Sequence, residues 1–336
     1  MKLVVFLFSF SYFHSTFAQF NGVFNEVDLY ARSAPKNLQS IDELVTFFSN
    51  KPSTHLEKAR MIYVWLTENI SYDARAYNLK NPGDNSPFNV FKTKKAVCAG
   101  FANLYTELGE KMGLEIKTVL GLAKGYEFES DVFDNLEESV NHAWNVIKIE
   151  GEWRVFDATW GEGFGTSNKK GKLVSTKEFN NTWFSVNPKS AIFSHLPVDN
   201  KHQFVVPQVS FEIFLALPFL TPDIFNSGWI SPDEILLKAK EKKKIDLPEY
   251  TSPLTQLKLT APKDRILKKG KPHEFILESD EILKAFFYVN ENEIVPFHVE
   301  GGKFKCTLNS KIIGVYDLVI ALQNGQNYVL LQYELE

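Results

Sequence analysis

Residues 141–157, NHAWNVIKIEGEWRVFD, constrain this chain more than any other stretch. Two alternating apolar runs flank Glu150-Gly151, the pattern of an antiparallel hairpin closed by a two-residue turn. Ile149 then faces Glu152, and the same register sets Asp157 opposite Trp144. His142 lies two residues from Trp144 and so on the same face. His142 and Asp157 become diagonal neighbours with backbones about 7–8 Å apart, within reach of a ring and a carboxylate. A four-residue loop would keep this register, whereas a three-residue loop would put the two side chains on opposite faces.

Upstream of the hairpin the periodicity is helical. Ser40 with Glu43 and Thr54 with Glu57 each match a capping box. The second box opens a helix with Leu56, Ala59, Ile62, Tyr63 and Leu66 on one face, ending near Asn69. Residues 78–86 are polar, with Pro82-Gly83, and predict a loop. A second helix is expected from about Val97 to Met112, striped by Phe101, Leu104, Tyr105, Leu108 and Met112 and stopped by Gly113. Residues 116–122, 143–149 and 153–158 read as strands, with an acidic surface insertion at 127–138.

The tail end of residues 161–172, GEGFGTSNKKGK, resembles a phosphate-binding loop but lacks G-x-x-x-x-G-K-[ST], so the stretch is expected to be a mobile loop. Ser231-Pro232-Asp233-Glu234 opens another helix, and the lysine run at 238–244 reads as its solvated face. After the linker around 247–253 the texture changes to short alternating segments at 275–277, 285–289, 304–308 and 316–322. These predict an all-β, sandwich-like module over 253–336, preceded by a helix and linker at 231–252 and a larger α+β domain at 19–230.

Composition narrows the function. A 14% aromatic content, with 29 Phe and 12 Tyr, excludes a disordered chain. A net charge of −4 gives no support to nucleic-acid binding. Two cysteines exclude a disulfide scaffold and a zinc site of three or four thiolates. Residues 1–18 have the order of a secretory signal peptide: Lys2, an apolar run, then small residues with cleavage expected after Ala18. That apolar run is about 11 residues, short of the roughly 20 that span a bilayer. The expectation is therefore a secreted or periplasmic protein with no transmembrane anchor in the mature chain.

One constellation carries chemistry. Cys98 sits at the start of the second helix, where unpaired N–H groups and the helix dipole favour a thiolate. Ala96, Ala99 and Gly100 leave room for a substrate chain to approach. A thiolate attacks a carbonyl carbon, an imidazole moves the proton, and a carboxylate fixes the imidazole tautomer. Cys98, His142 and Asp157 supply these three types.

The segments VWLTENISYD (64–73), AVCAGFANLYTELGEKMGL (96–114) and NHAWNVIKIEGEWRVFDATWG (141–161) resemble the transglutaminase-like superfamily of papain-like cysteine enzymes. WFSVNPKSAIFSHLPVDNKHQF (183–204) resembles the segment that follows the core in its kyphoscoliosis-peptidase-like branch. The resemblance implies an α+β core with the nucleophile helix packed on an antiparallel sheet. It implies Cys98 as nucleophile, His142 as base and Asp157 as orienting acid. Members differ in the side chain that completes the oxyanion hole beside the Cys98 N–H; Tyr72 and Trp160 are the candidates here. Within the family's pattern His195 has a structural character.

The remaining candidates are weaker. His195 and His202 lack the carboxylates of a metal shell, so no metal or cofactor is expected. Cys306 alternates with Phe304 and Leu308 as a core residue of the β module, and a Cys98–Cys306 disulfide would disable the nucleophile. Trp144, Trp153, Trp160 and Trp183 are expected to cluster around the site, chiefly as packing. The function expected is an exported cysteine peptidase or amidase acting through an acyl-thioester on a peptide or protein substrate, cell-wall peptide included. The alternatives are an amine-transferring transglutaminase and a non-catalytic peptide-binding scaffold, with the β module free to dock a protein partner.

Overall fold

The computed structural model describes residues 24–336 apart from 127, 131–133, 255 and 291. The signal-peptide expectation for residues 1–18 lies outside the described residues, as does part of the acidic insertion. Among them no helix is long and apolar enough to cross a membrane.

The chain begins with α1 (Asn25–Arg32), α2 (Ile41–Ser49) and α3 (His55–Asn69). The capping box at α3 forms as expected: Thr54 Oγ1 accepts the Glu57 N–H at 3.2 Å, and the Glu57 carboxylate accepts the Thr54 N–H at 2.7 Å. At α2 the box slips by one residue, because Ser40 Oγ accepts the Glu43 N–H while the Glu43 carboxylate takes the N–H of Gln39. The apolar stripe predicts one buried face for α3, yet every residue from Ala59 to Thr67 is buried, Arg60 included. The cause is Asp28 of α1, whose two oxygens accept from Arg60 Nε and Nη2 at 2.7 Å each. Paired in this way, the guanidinium enters the core among the rings of Phe24, Tyr63, Phe179 and Phe184.

Next come β1 (Ser71–Tyr72), α4 (Ala74–Asn78), α5 (Pro87–Thr93), β2 (Lys95–Ala96) and α6 (Cys98–Lys111). β1 and β2 pair in parallel with Tyr72 opposite Ala96. α6 buries its predicted stripe, and Gly113 ends the helical segment at φ 77°. The chain continues as β3 (Ile116–Ala123), β4 (His142–Ile149), β5 (Glu152–Phe156), α7 (Ala158–Glu162), β6 (Gly163–Ser167), β7 (Leu173–Lys177), α8 (Pro188–Ala191) and β8 (His195–Pro197). Four of these strands form an antiparallel sheet in the order β5-β4-β3-β8.

The hairpin register is the predicted one, with Ile149 opposite Glu152 and Asn145 opposite Phe156. Its turn residues Glu150 and Gly151 both have positive φ, at 51° and 87°. Asn145, Ile147 and Ile149 face the helical side: Asn145 Nδ2 donates to Ala102 O and Thr106 Oγ1 of α6 at 3.0 and 2.9 Å. Trp144 and Val146 face the other side, where they pack with Val155 and Trp183.

Two expectations are corrected here. The strand expected over 153–158 stops at Phe156, because Asp157 turns the chain and caps α7. The loop expected over 161–172 is instead the end of α7 and one arm of the β6–β7 hairpin. Asn168 Oδ1 closes its turn by accepting from Lys170 N and Lys172 N at 2.8 and 3.1 Å. The strand lacks apolar alternation because β6 is exposed along most of its length.

The remainder holds α9 (Phe211–Ala216), α10 (Pro222–Asn226), α11 (Pro232–Lys240), β9 (Glu249–Tyr250), β10 (Lys258–Thr260), β11 (Ile266–Leu267), β12 (His273–Glu278), β13 (Ile282–Val289), β14 (Glu293–Pro296), β15 (His298–Glu300), β16 (Lys303–Leu308), β17 (Gly314–Leu322) and β18 (Asn327–Leu335). Ser231 makes no side-chain cap to α11, and Glu234 instead pairs with Lys263 and Lys238. The C-terminal strands form two sheets, β10-β12-β16-β15 and β11-β18-β17-β13-β14, with β9 also on β18. All their pairings are antiparallel except β11 with β18. Phe275 of one sheet meets Phe287 and Tyr333 of the other at ring distances of 4.8 and 5.5 Å, so the two sheets pack face to face. Their core runs without a break into Phe193, Leu196, Phe214, Trp229 and Ile235.

Candidate active site

Cys98 is the first residue of α6, and Val97 before it provides no side-chain cap. The first N–H groups of a helix have no intrahelical acceptor, so the Cys98 N–H faces outward unclaimed by the helix. Its thiol is half-buried and free, and so is the thiol of Cys306; no disulfide joins them. Cys306 lies in the β module opposite Phe275, and burial pushes its pKa up to about 11.

His142 opens β4, and its ring lies between two partners. Nε2 meets Asp157 Oδ2 at 2.7 Å, and the Cys98 thiol lies close enough to the ring for the two to shift each other's titration. The diagonal reach expected from the hairpin register is therefore present. Asp157, almost wholly buried, is saturated: Oδ1 accepts from the Thr159 and Trp160 N–H groups at 2.8 and 3.1 Å, while Oδ2 accepts from His142 and also from His195 at 3.1 Å.

The electrostatics follow from these contacts. Burial alone would raise the Asp157 carboxyl, but His142 and His195 outweigh it and hold the group well below the usual carboxylate range. Burial alone would lower His142; the Asp157 carboxylate and the Cys98 sulfur outweigh that and raise it. For Cys98, burial raises the thiol pKa, yet the hydrogen bond and charge of His142 and the Ala143 N–H bring it below the ordinary value. The pair therefore favours thiolate and imidazolium.

His195 is the member that sequence reasoning missed in this position. Burial lowers its pKa more than Asp157 raises it, so it is a neutral ring donating from Nε2 to Asp157 and accepting at Nδ1 from Ser194 Oγ, 2.8 Å away. It arrives from β8, across β3 from His142: Gly121 of β3 faces both His142 and Pro197, and Ala123 faces His195. Gly121 is needed for this approach, since a Cβ there would lie 2.2 Å from Leu196 O and 2.5 Å from the Trp144 ring. His202 takes no part; it sits in a 3-10 turn beside Phe204.

His142, Asp157 and His195 place potential ligating atoms within 4.8 Å of one another. Those atoms are already joined by the two hydrogen bonds just described, and a buried carboxylate satisfied by four donors accounts for the trio without an ion. Trp144, Trp160 and Trp183 pack around His195 at ring distances of 5.0, 4.4 and 5.0 Å. Trp153 does not join them; it stacks on Phe204 at the turn end of the hairpin, 5.0 Å away. Tyr72 is close enough to Cys98 to feel its charge, and burial together with that charge raises its phenol pKa, which keeps it a proton donor.

Residues 42–158 match the transglutaminase-like superfamily, a span that includes Cys98, His142 and Asp157 and stops before His195. Human kyphoscoliosis peptidase is 28% identical over 209 residues, covering 62% of this chain and 31% of that protein. Cytokinesis protein 3 of Schizosaccharomyces pombe is 24% identical over 208 residues, 61% of this chain and 22% of that protein. Hillarin of Drosophila melanogaster is 25% identical over 225 residues, 63% of this chain and 26% of that protein. Among solved structures, a TGase overlaps 44% of this chain and 39% of its own at 20% identity and a TM-score of 0.29. The match therefore spans less than a third of the length of these curated relatives. The stretch of this chain that carries Cys98, His142 and Asp157 is thus similar to the transglutaminase-like superfamily.

Proposed function

We propose that this protein is an exported cysteine hydrolase, a peptidase or amidase, that cleaves a peptide or protein substrate through an acyl-thioester on Cys98. The observation that carries the reading is His142 hydrogen-bonded to Asp157 with the Cys98 thiol close beside its ring. The Cys98 thiolate attacks the substrate carbonyl carbon, and the C–N bond breaks as the His142 imidazolium gives its proton to the leaving amine. His142, now neutral, takes a proton from water as that water attacks the thioester and releases the acid. Asp157 holds the ring orientation and offsets the imidazolium charge, and no metal or cofactor enters any step. The likeness to kyphoscoliosis peptidase supports the peptidase side. Export rests on the order of residues 1–18 and predicts Gln19 as the N-terminal residue of the protein recovered outside the cytoplasm.

Hydrolysis and amine transfer share every step up to the thioester. Incubating the protein with a casein pool and a fluorescent primary amine separates them. New amino termini without labelled protein are expected; labelled protein without new termini would replace hydrolysis by transfer.

The oxyanion formed on attack faces the Cys98 N–H, and we assign the second donor to the Tyr72 phenol, which its raised pKa keeps protonated. Tyr72→Phe should lower kcat about 10²–10³-fold, the usual cost of one oxyanion donor. Alkylation of Cys98 by iodoacetamide forms no oxyanion and should keep its rate. Equal losses in both reactions would point to a displaced Cys98 instead.

A further inference from the structure

A cavity of about 570 Å³ opens between α4 and the β6–β7 hairpin. Tyr72 is part of its lining, and the Tyr72 backbone pairs with Ala96, two residues before Cys98. Arg75, Lys95 and Lys172 line the cavity and no acidic side chain does. Among the described residues Arg75 and Lys172 have no carboxylate within ion-pair distance. Lys95 reaches only Asp73, at 3.6 Å, whose oxygen also accepts the Ala76 N–H at 3.0 Å. Leu79 and Val174, 61% and 42% exposed, line the same cavity.

The walls are fixed to each other. The Asn78 amide donates to Leu173 O at 2.9 Å and accepts from Leu173 N at 3.0 Å, pinning β7 to α4 as a neighbouring strand would. A ligand entering here orders side chains but not backbone, which limits the cost of binding. A concave surface of one sign of charge concentrates ligands of the other sign, and the apolar residues in the same lining suit an ordinary peptide better than a small anion.

We propose that this groove binds an acidic stretch of polypeptide, with carboxylate side chains on Arg75, Lys95 and Lys172 and an apolar side chain against Leu79 and Val174. It thereby presents an adjoining bond to Cys98, and in that last respect it rests on the chemistry proposed for Cys98. Three exposed ion pairs of modest strength add up to a preference of about tenfold for a negative over a neutral peptide.

The test uses the Cys98→Ala protein and three labelled eight-residue peptides that alternate leucine with glutamate, glutamine or lysine, followed by fluorescence anisotropy at pH 7. The glutamate peptide should bind about tenfold more tightly than the glutamine peptide at low salt and lose most of that advantage at about 0.5 M salt. Arg75→Glu combined with Lys172→Glu, both at exposed positions, should abolish or reverse the preference. Equal affinity for the glutamate and glutamine peptides, or a preference that survives the charge reversal, would overturn the assignment. Alkylation of Cys98 in the unmodified protein, run alongside, separates the two claims. A reactive Cys98 without charge preference removes the groove alone, whereas an inert Cys98 with the preference intact keeps the groove and removes the chemistry.

Discussion

Asp157→Ala should lower the rate of peptide hydrolysis about 10⁴-fold, the loss expected when a catalytic imidazole loses the carboxylate that sets its tautomer. The same substitution should also destabilise the fold. Asp157 accepts from His142, His195 and two backbone N–H groups, and these donors would be left without that acceptor in a buried corner. A loss of about 2–4 kcal/mol is expected from such unsatisfied donors. Asp157→Asn separates the two effects. Its amide oxygen can still cap α7, so the urea midpoint should move much less, while the charge opposite His142 is gone and the rate stays low. Near-normal hydrolysis by Asp157→Ala would sink the proposed role of the carboxylate.

The second large effect lies far from Cys98. Asp28→Ala removes the bidentate partner of Arg60, a residue with no exposed surface. A buried charge deprived of its counter-charge typically costs about 3–5 kcal/mol. That is a large share of the roughly 5–15 kcal/mol by which a domain is stable. Urea unfolding should show the midpoint falling accordingly. Replacing both partners, Asp28→Leu with Arg60→Met, should recover most of the loss, because neither charge then needs to leave water. A single-variant loss under about 1 kcal/mol would mean that Arg60 finds its way back to solvent.

What was legible in the sequence was local or periodic. The hairpin register followed from two turn residues and strand parity, and it carried the His142–Asp157 contact with it. The capping box fixed the start of α3 because both of its partners lie within four residues. The β module showed itself through alternation, which a half-buried strand cannot avoid. What stayed hidden depended on distant partners. The charge on Arg60 contradicts an apolar helix until Asp28, 32 positions away, is placed against it. His195 meets Asp157 across 38 positions, through a strand pairing that nothing local encodes. Asp157 ended a run that read as strand because its role as the cap of α7 overrides the alternation before it. The β6–β7 hairpin is held by the Asn78 amide 95 positions from Leu173, so its glycines and lysines looked like free loop.

The central claim is that Cys98 and His142 form a thiolate–imidazolium pair, and the rate of Cys98 alkylation against pH tests it most directly. Cys98→Ser should abolish the reaction and so identify its site. In the unmodified protein the reaction should stay fast well below about 8.5, the pKa of a free thiol. The lowered Cys98 pKa depends on His142 acting against burial, so His142→Ala leaves burial less opposed and should move the midpoint upward. A Cys98 that titrates as an ordinary thiol, or a midpoint that His142→Ala leaves unmoved, would contradict the account.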